Sequence, residues 1–277
     1  MPRQTVKDCP NIVHFTNSLH SFFWRKEFPS VVTIHDMIPF VMPESFHWFH
    51  ALYLKAYFKD AVRKARHIVT VSESSKRDIV RILNVPEHKV SVIYGASSLG
   101  DVRVSQEEQK IFENKYGEKF GPFFLYVGAI HPRKNVERII EAFVHLKKTK
   151  AIPHKLVLGG SLRWGNRRLL KNEDLKTFQN EVVFSGFISD QELVYLYKNA
   201  RALVFPSLYE GFGLPLVEAM TFGTPIITSN TSSLAEVAGR AAILVDPQSV
   251  SEISKALWSI VSDDALVAEL SIQGKHR

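Results

Sequence analysis

The stretch Tyr209-Glu210-Gly211-Phe212-Gly213-Leu214-Pro215-Leu216-Val217-Glu218 decides the fold. It follows the apolar run Ala202–Pro206 and opens an apolar segment ending near Phe222, so it reads as a strand end, a glycine-bracketed turn and a helix start. Gly211 and Gly213 let backbone approach a ligand with no Cβ in the way. Pro215 suits the first helical turn, where its missing N–H is no loss. The free N–H groups of such a turn, and the helix dipole, favour an anion. A carboxylate stands on each side, Glu210 before the turn and Glu218 about one turn into the helix. The pair reads either as solvated helix-start charges or as hydroxyl acceptors flanking a pyrophosphate, with a ribose on one side and a hexose on the other. A glycosidase-type pair suits the glycine turn less well.

Upstream, Gly128-Ala129-Ile130-His131-Pro132-Arg133-Lys134-Asn135 also lies between a strand, Phe123–Val127, and a helix, Val136–Lys148. Two cations at a helix N-terminus oppose the dipole and call for an anion between them. Arg133 can grip phosphate oxygens in a fork, and Lys134 adds a point charge; the alternative is a solvated loop pair. The two loops together suit a nucleotide diphosphate that carries a sugar.

Around these loops the chain alternates. The second half continues with strands Lys155–Gly159 and Val182–Gly186, a helix through Leu175 between them, the helix Asp190–Asn199, the helix Leu214–Phe222 and the strand Pro225–Ser229. Ser233–Ala238, Ala242–Val245 and Val250–Ser262 follow in the same alternation. Such βαβα order predicts an α/β fold with a parallel sheet covered by helices on both faces. Ligands on such sheets bind beyond the carboxyl ends of the strands, where both loops lie. The first half has shorter Val- and Ile-rich runs: Asn11–Thr16, Val31–His35, His67–Ser72 and Val90–Tyr94. Ser72 is placed to cap a helix to about Leu83. Residues 96–120 are polar with little strand character, which sets the expected domains at 1–104 and 105–277.

With 277 residues and 45% hydrophobic content, the chain is long and apolar enough for two α/β domains. The net charge of +7 is uneven: residues 1–104 hold 14 Lys and Arg against 9 Asp and Glu, and residues 105–277 hold 21 against 19. A basic first half fits an anionic partner such as a nucleotide, a phosphorylated acceptor or a membrane surface, and is too mild to point to nucleic acid. One cysteine, Cys9, rules out an intrachain disulfide and a Cys-based metal site, and fits a reducing cytoplasm. No apolar run approaches the ~20 residues that span a bilayer. The segment Phe46–Arg66 reads as a helix both aromatic and basic, suited either to core packing with a solvated edge or to an anionic membrane. Thr33-Ile34-His35-Asp36 ends a strand with a titratable pair, structural or functional.

At these residues the chain resembles the retaining glycosyltransferases of family 4, which have the GT-B fold. The E-x7-E pattern of that family falls on Glu210 and Glu218, its G-x4-RKN pattern on Gly128, Arg133, Lys134 and Asn135, and its HD dipeptide on His35-Asp36. Phe184-Ser185-Gly186-Phe187, Tyr197 and Val71-Ser72-Glu73-Ser74-Ser75 are similar too. The resemblance implies two Rossmann-like domains with parallel sheets facing across a cleft, a hexosyltransferase activity and no metal or cofactor. It implies that Arg133 and Lys134 neutralise the leaving diphosphate, Glu218 holds the ribose, Glu210 and His35 face the sugar, and Gly213 and Leu214 donate N–H groups to phosphate or sugar oxygens. Gly211 and Phe212 belong to the same donor-binding turn, and Phe187 and Ile188 meet the base. The run Thr33–Pro39 is closest to bacterial mannosyltransferases of surface-polysaccharide assembly, which implies GDP-mannose as donor, a saccharide or polyprenyl-linked acceptor, and a place in the cytoplasm at the inner face of the membrane. His131 stands where many relatives carry an acid.

Members of that family are usually longer at both ends. An incomplete N-terminal domain is therefore expected, and with it a truncated module that binds nucleotide-sugar without efficient transfer as the alternative to an active enzyme. A nucleotide-sugar epimerase of similar fold fits the motif pair less well.

Overall fold

The structure is a computed structural model and describes residues 10–17, 28–117, 120–161 and 177–277. The chain forms two compact units, Met1–Gly95 with Tyr209–Phe212, and Ala96–Leu208 with Gly213–Arg277.

In the first unit, β1 (Val13–Phe15), β2 (Ser30–Ile34), β3 (His67–Thr70) and β4 (Val90–Val92) form a parallel sheet in chain order. Three of them lie within the stretches expected from the Val- and Ile-rich runs, while β2 begins one residue earlier, at Ser30; all four stop a residue or more short at their C-terminal ends, where ladder hydrogen bonds end. The core forms where Val32, Ile34 and Ile68 of the sheet meet Phe58, Ala61 and Val62 of α2 (Trp48–Lys64) and Ile79 of α3 (Glu73–Leu83). A short helix, α1 (Ile38–Val41), precedes α2. Ser72 caps α3, its hydroxyl accepting from Ser75 N–H at 3.0 Å, and α3 ends at Asn84 in the left-handed conformation.

In the second unit six parallel strands run in the order β7-β6-β5-β8-β9-β10. They are β5 (Phe123–Val127), β6 (Lys155–Gly159), β7 (Val182–Gly186), β8 (Ala202–Phe205), β9 (Ile226–Ser229) and β10 (Ile243–Val245). The chain builds outward from β5 to β7, then returns to lay β8 on the other side of β5. That reversal is the topological switch point of a doubly wound sheet, where a crevice opens at the carboxyl ends of the two central strands. Both central strands are wholly apolar and buried apart from Val127, as expected with helices on both faces.

The helices of this unit are α4 (Gln106–Tyr116), α5 (Val136–Thr149), α6 (Asp190–Asn199), α7 (Leu214–Phe222), α8 (Ser232–Ala238), α9 (Val250–Ser262) and α10 (Asp264–His276). Helix α4 falls in the stretch 96–120, which was read only as polar with little strand character. Its signal was present: Ser105 and Glu108 form a reciprocal capping box. Lys115 and Tyr116 at its end both bond Glu192 Oε1 of α6, at 2.8 and 2.9 Å, which fixes α4 to α6. Helix α10, also not assigned from sequence, is capped by Asp263 and packs on α7. The helix expected through Leu175, and Cys9, lie outside the described residues.

Candidate active site

In the second unit the residues after β5 and after β8 converge at the switch point. The chain leaves β5 at Gly128, whose φ is +142°, and Gly160 after β6 faces it, also at positive φ. A Cβ on Gly160 would stand 2.0 Å from the Gly128 carbonyl oxygen, so the two strand ends touch backbone to backbone. Residues Pro132–Lys134 then form a single 3₁₀ turn instead of the first turn of α5. His131 starts it, its Nδ1 accepting from Arg133 N–H at 3.2 Å, which requires the neutral ring with its proton on Nε2. His131 therefore supplies an acceptor to the turn.

The turn is tied to the loop after β8. Leu208 N–H donates to the Arg133 carbonyl at 2.9 Å. Asn135, buried and left-handed with φ +63°, donates through Nδ2 to the Pro206 and Pro247 carbonyls at 2.9 and 2.6 Å and accepts from Arg138 through Oδ1. One amide thus fastens three strand-end loops, those after β5, β8 and β10. Lys134 lies with Nζ 4.9 Å from the centre of the Phe205 ring, at the last residue of β8. The cations are presented by a turn whose backbone is held from two sides.

Beyond that loop α7 begins at Gly213 (φ +107°) with no side-chain cap and Pro215 in its first turn. A Cβ on Gly213 would meet Leu234 at 2.6 Å. The uncapped N–H groups at Gly213 and Leu214 and the dipole of α7 make this end electropositive. One turn in, Glu218 accepts from the buried Tyr197 hydroxyl through Oε2 at 2.8 Å. Burial raises the Glu218 carboxyl above its usual range, the Tyr197 bond pulls it back down, and the Asp190 charge raises it further. The Tyr197 phenol itself is pushed well up by burial and by the Glu218 charge, so it stays a donor. On the other flank, Phe187 after β7 is 89% exposed, and Ile188 packs over Gly159 where no Cβ intervenes. A fully exposed aromatic ring beside a strand end offers a stacking face.

The opening stretch is split between the units: Tyr209–Phe212 belongs to the first and Gly213 onward to the second. In the first unit, Gly211 lies against the end of β2. A Cβ there would sit 2.1 Å from the His35 carbonyl oxygen and 2.8 Å from Asp36 Cβ. The Gly211 carbonyl accepts from the hydroxyls of Ser72, at 2.7 Å, and Ser75, at 3.1 Å. Tyr209 donates to Asp78 at 2.7 Å, and Phe212 packs near Tyr94. Glu210 is buried within this segment. Asp36 accepts from Ile38 N–H, which starts α1, and His35 Nε2 donates to the Thr16 carbonyl at 2.9 Å. Thr33, His35, Asp36, Phe46 and Phe58 line a cavity of about 200 Å³ at this strand end.

The first unit therefore gathers His35, Glu210, Gly211 and Phe212, and the second gathers Gly128, Arg133, Lys134, Asn135, Gly213, Leu214 and Glu218. Two supporting contacts were not read from sequence: the bonds of Ser72, expected only as a helix cap, and of Ser75 to the Gly211 carbonyl, and the bond of Tyr197 to Glu218. Among the described residues no group of three or more His, Cys, Asp or Glu is placed to hold a metal ion, and no helix is long and apolar enough to cross a membrane.

Two parallel α/β sheets, one with a switch point that carries cations and an open helix N-terminus, define the GT-B class of fold. The pattern described as glycosyl transferases group 1 matches residues 106–277, and that of glycosyltransferase family 4 matches residues 3–96. The chain belongs to the group 1 glycosyl transferases. It is 33% identical to O-antigen chain mannosyltransferase B of Escherichia coli over 85% of this chain and 62% of that protein. It is 32% identical to O-antigen chain mannosyltransferase RfbU of Salmonella typhimurium over 83% of this chain and 60% of that one. It thus spans about three fifths of the length of these curated relatives. Among solved structures, Anabaena Alr3699/HepE in complex with UDP and glucose superposes with a TM-score of 0.78 at 18% identity, covering 99% of this chain and 75% of that one.

Proposed function

We propose that this chain acts as a retaining hexosyltransferase that moves mannose from GDP-mannose to a saccharide or polyprenyl-linked acceptor. The observation that carries the proposal is the junction at the β5–β8 switch point, where the Arg133–Lys134 turn is hydrogen-bonded to the loop that leads to α7. A diphosphate there would meet Arg133 and Lys134 on one side and the N–H groups of Gly213 and Leu214 on the other. Glu218, with one oxygen held by Tyr197, offers the other to ribose hydroxyls. Phe187 stacks on the base beside Ile188, and the family resemblance assigns His35 and Glu210 to the hexose. The mannosyltransferases among its relatives favour mannose over other hexoses.

In the proposed reaction the C1–O bond to the β-phosphate breaks as the acceptor oxygen bonds C1 on the same face. The acceptor proton passes to the departing phosphate oxygen, so no side-chain base is needed. Charge grows on the diphosphate at the transition state, and preorganised cations there supply the main stabilisation. The reaction needs no metal or cofactor. Its donor and acceptor place the protein in the cytoplasm, in peripheral contact with the inner face of the membrane.

The test is transfer from GDP-mannose to a mannose-terminated saccharide, with the anomer read by NMR. An α-mannoside from the α-linked donor supports the proposal, and a β-mannoside or free mannose alone contradicts it.

A further inference from the structure

In its N-terminal half, helix α2 is apolar on two sides. Ala51, Leu54, Tyr57, Phe58, Ala61 and Val62 face the core of the first unit. On the outside stand Trp48, Phe49, Leu52 and Tyr53, exposed by 68, 64, 62 and 49%. A surface helix normally turns polar residues outward, and a contiguous apolar patch marks a binding surface. The C-terminal half changes character. Between Phe46 and Arg66 the chain carries five cations, Lys55, Lys59, Arg63, Lys64 and Arg66, against the single carboxylate of Asp60. Phe49, Leu52, Tyr53, Ala56, Lys59 and Arg63 follow one another at helical spacing, so aromatic and cationic residues share one outer stripe about 20 Å long.

A cavity of about 280 Å³ opens at the cationic end, lined by Lys59, Arg63 and Lys89 together with Val62, Leu83 and Pro86, with no carboxylate in its wall. Lys89 donates to the Val62 carbonyl at 2.9 Å, which anchors its ammonium at the end of α2. Asp60 pairs with Arg63 and Lys64 and neutralises one charge of the stripe. The apolar end fits the acyl boundary of a bilayer, where Trp and Tyr settle, and the cationic end fits the phosphates beside it. Nucleic acid or an acidic protein would match the cations and leave the four apolar side chains in water.

We infer that the outer stripe of α2 docks the first unit on an anionic phospholipid surface, with Trp48, Phe49, Leu52 and Tyr53 inserted and a lipid phosphate seated between Lys59, Arg63 and Lys89. The inference deepens the membrane contact proposed above by giving it a surface. Vesicle binding is read with neither donor nor acceptor present, so its failure would leave the donor site standing.

The experiment is flotation of the full chain with vesicles of phosphatidylglycerol mixed into phosphatidylcholine, and with phosphatidylcholine alone. The chain is expected to float with the mixed vesicles, to bind the neutral ones far more weakly, and to lose affinity at high salt. K59Q/R63Q should weaken binding about 25-fold, at about fivefold per cation near an anionic surface. W48S/F49S should weaken it on the order of a hundred-fold through lost apolar burial. All four side chains are exposed, so both variants should keep the wild-type melting temperature and affinity for GDP. Three results would overturn the inference: no flotation, equal binding to neutral vesicles, or variants that float like wild type. A lipid-free dimer that W48S/F49S dissolves would overturn it too, since a second copy would then own the face.

Discussion

In the second unit the carboxyl end of β5 meets that of β8 at a reversal of strand order, whereas in the first unit β1 to β4 lie in chain order and His35 ends a strand with no reversal beside it among the described strands. The two ends solve the same problem with different materials. At the reversal the site is local: Gly128 to Asn135 form one continuous loop, anchored by Asn135 and by the Arg133–Leu208 bond. At the end of β2 the site is assembled from afar, because Tyr209–Phe212 arrives from more than 170 residues away and is held by Ser72 and Ser75. A switch point makes an anion crevice out of topology; a strand end without one needs a visiting segment.

The sharpest way to break this contrast is to strip the cations. R133A/K134A should lower kcat/KM for transfer by about 10³-fold, in the range of lost oxyanion contacts, and weaken nucleotide binding with it. H35A should lower transfer and leave GDP affinity unchanged, which isothermal titration would check. Equal loss of nucleotide affinity in both would erase the distinction between the two ends.

Next in size are the two close backbone approaches. Gly160→Ala drives a Cβ into the Gly128 carbonyl and Gly211→Ala drives one into that of His35. Each should destabilise by about 3 kcal/mol, since backbone must move and Gly160 is also at positive φ. Urea melts followed by tryptophan fluorescence would measure both. Of the two, only Gly160→Ala should also impair GDP binding.

A smaller effect is expected at Tyr197→Phe. The variant leaves the half-buried Glu218 carboxylate without its donor, which should weaken GDP about tenfold. The Tyr197 bond holds the Glu218 carboxyl down, so without it the carboxyl protonates at a higher pH. Affinity for GDP should then fall off on acidification earlier in the variant than in wild type. A 2′,3′-dideoxynucleotide should show neither change, whereas a merely structural role for Tyr197 would weaken both ligands alike.

The smallest effect lies away from both sites. His154 is buried against Phe124, and burial, with Arg201 and Lys147 nearby, holds it down to about 4. A histidine kept neutral in the fold binds fewer protons there than in the unfolded chain. Its contribution is therefore whole above the ordinary value near 6.5 and is lost as pH falls from there toward 4. Melting temperatures at pH 7.5 and 5 should differ by less in His154→Phe than in wild type.

Most of the second unit was legible in the sequence, because its four inner strands β5, β6, β8 and β9 are nearly continuous buried runs, and helices α4 and α10 are the exceptions. Helix α4 escaped although Ser105 and Glu108 signalled it, since the eye follows apolar periodicity and its outer face is almost entirely polar. The split of the opening stretch was not legible at all. Residues 209–218 read as one turn, and only tertiary contacts of Gly211 with His35, Ser72 and Ser75 show that the first four belong to the other unit. Tyr197 escaped for the same reason: its bond to Glu218 spans two helices, and no local pattern encodes it.

Calorimetric titration of the chain with GDP, GDP-mannose, UDP and UDP-glucose, beside R133A/K134A, tests the switch-point site most directly. Binding that favours the guanine nucleotides and weakens at least tenfold in the double variant is the predicted result, the lost phosphate contacts being worth that or more. No binding to any of the four by a folded chain, or binding that the double variant keeps unchanged, would contradict it.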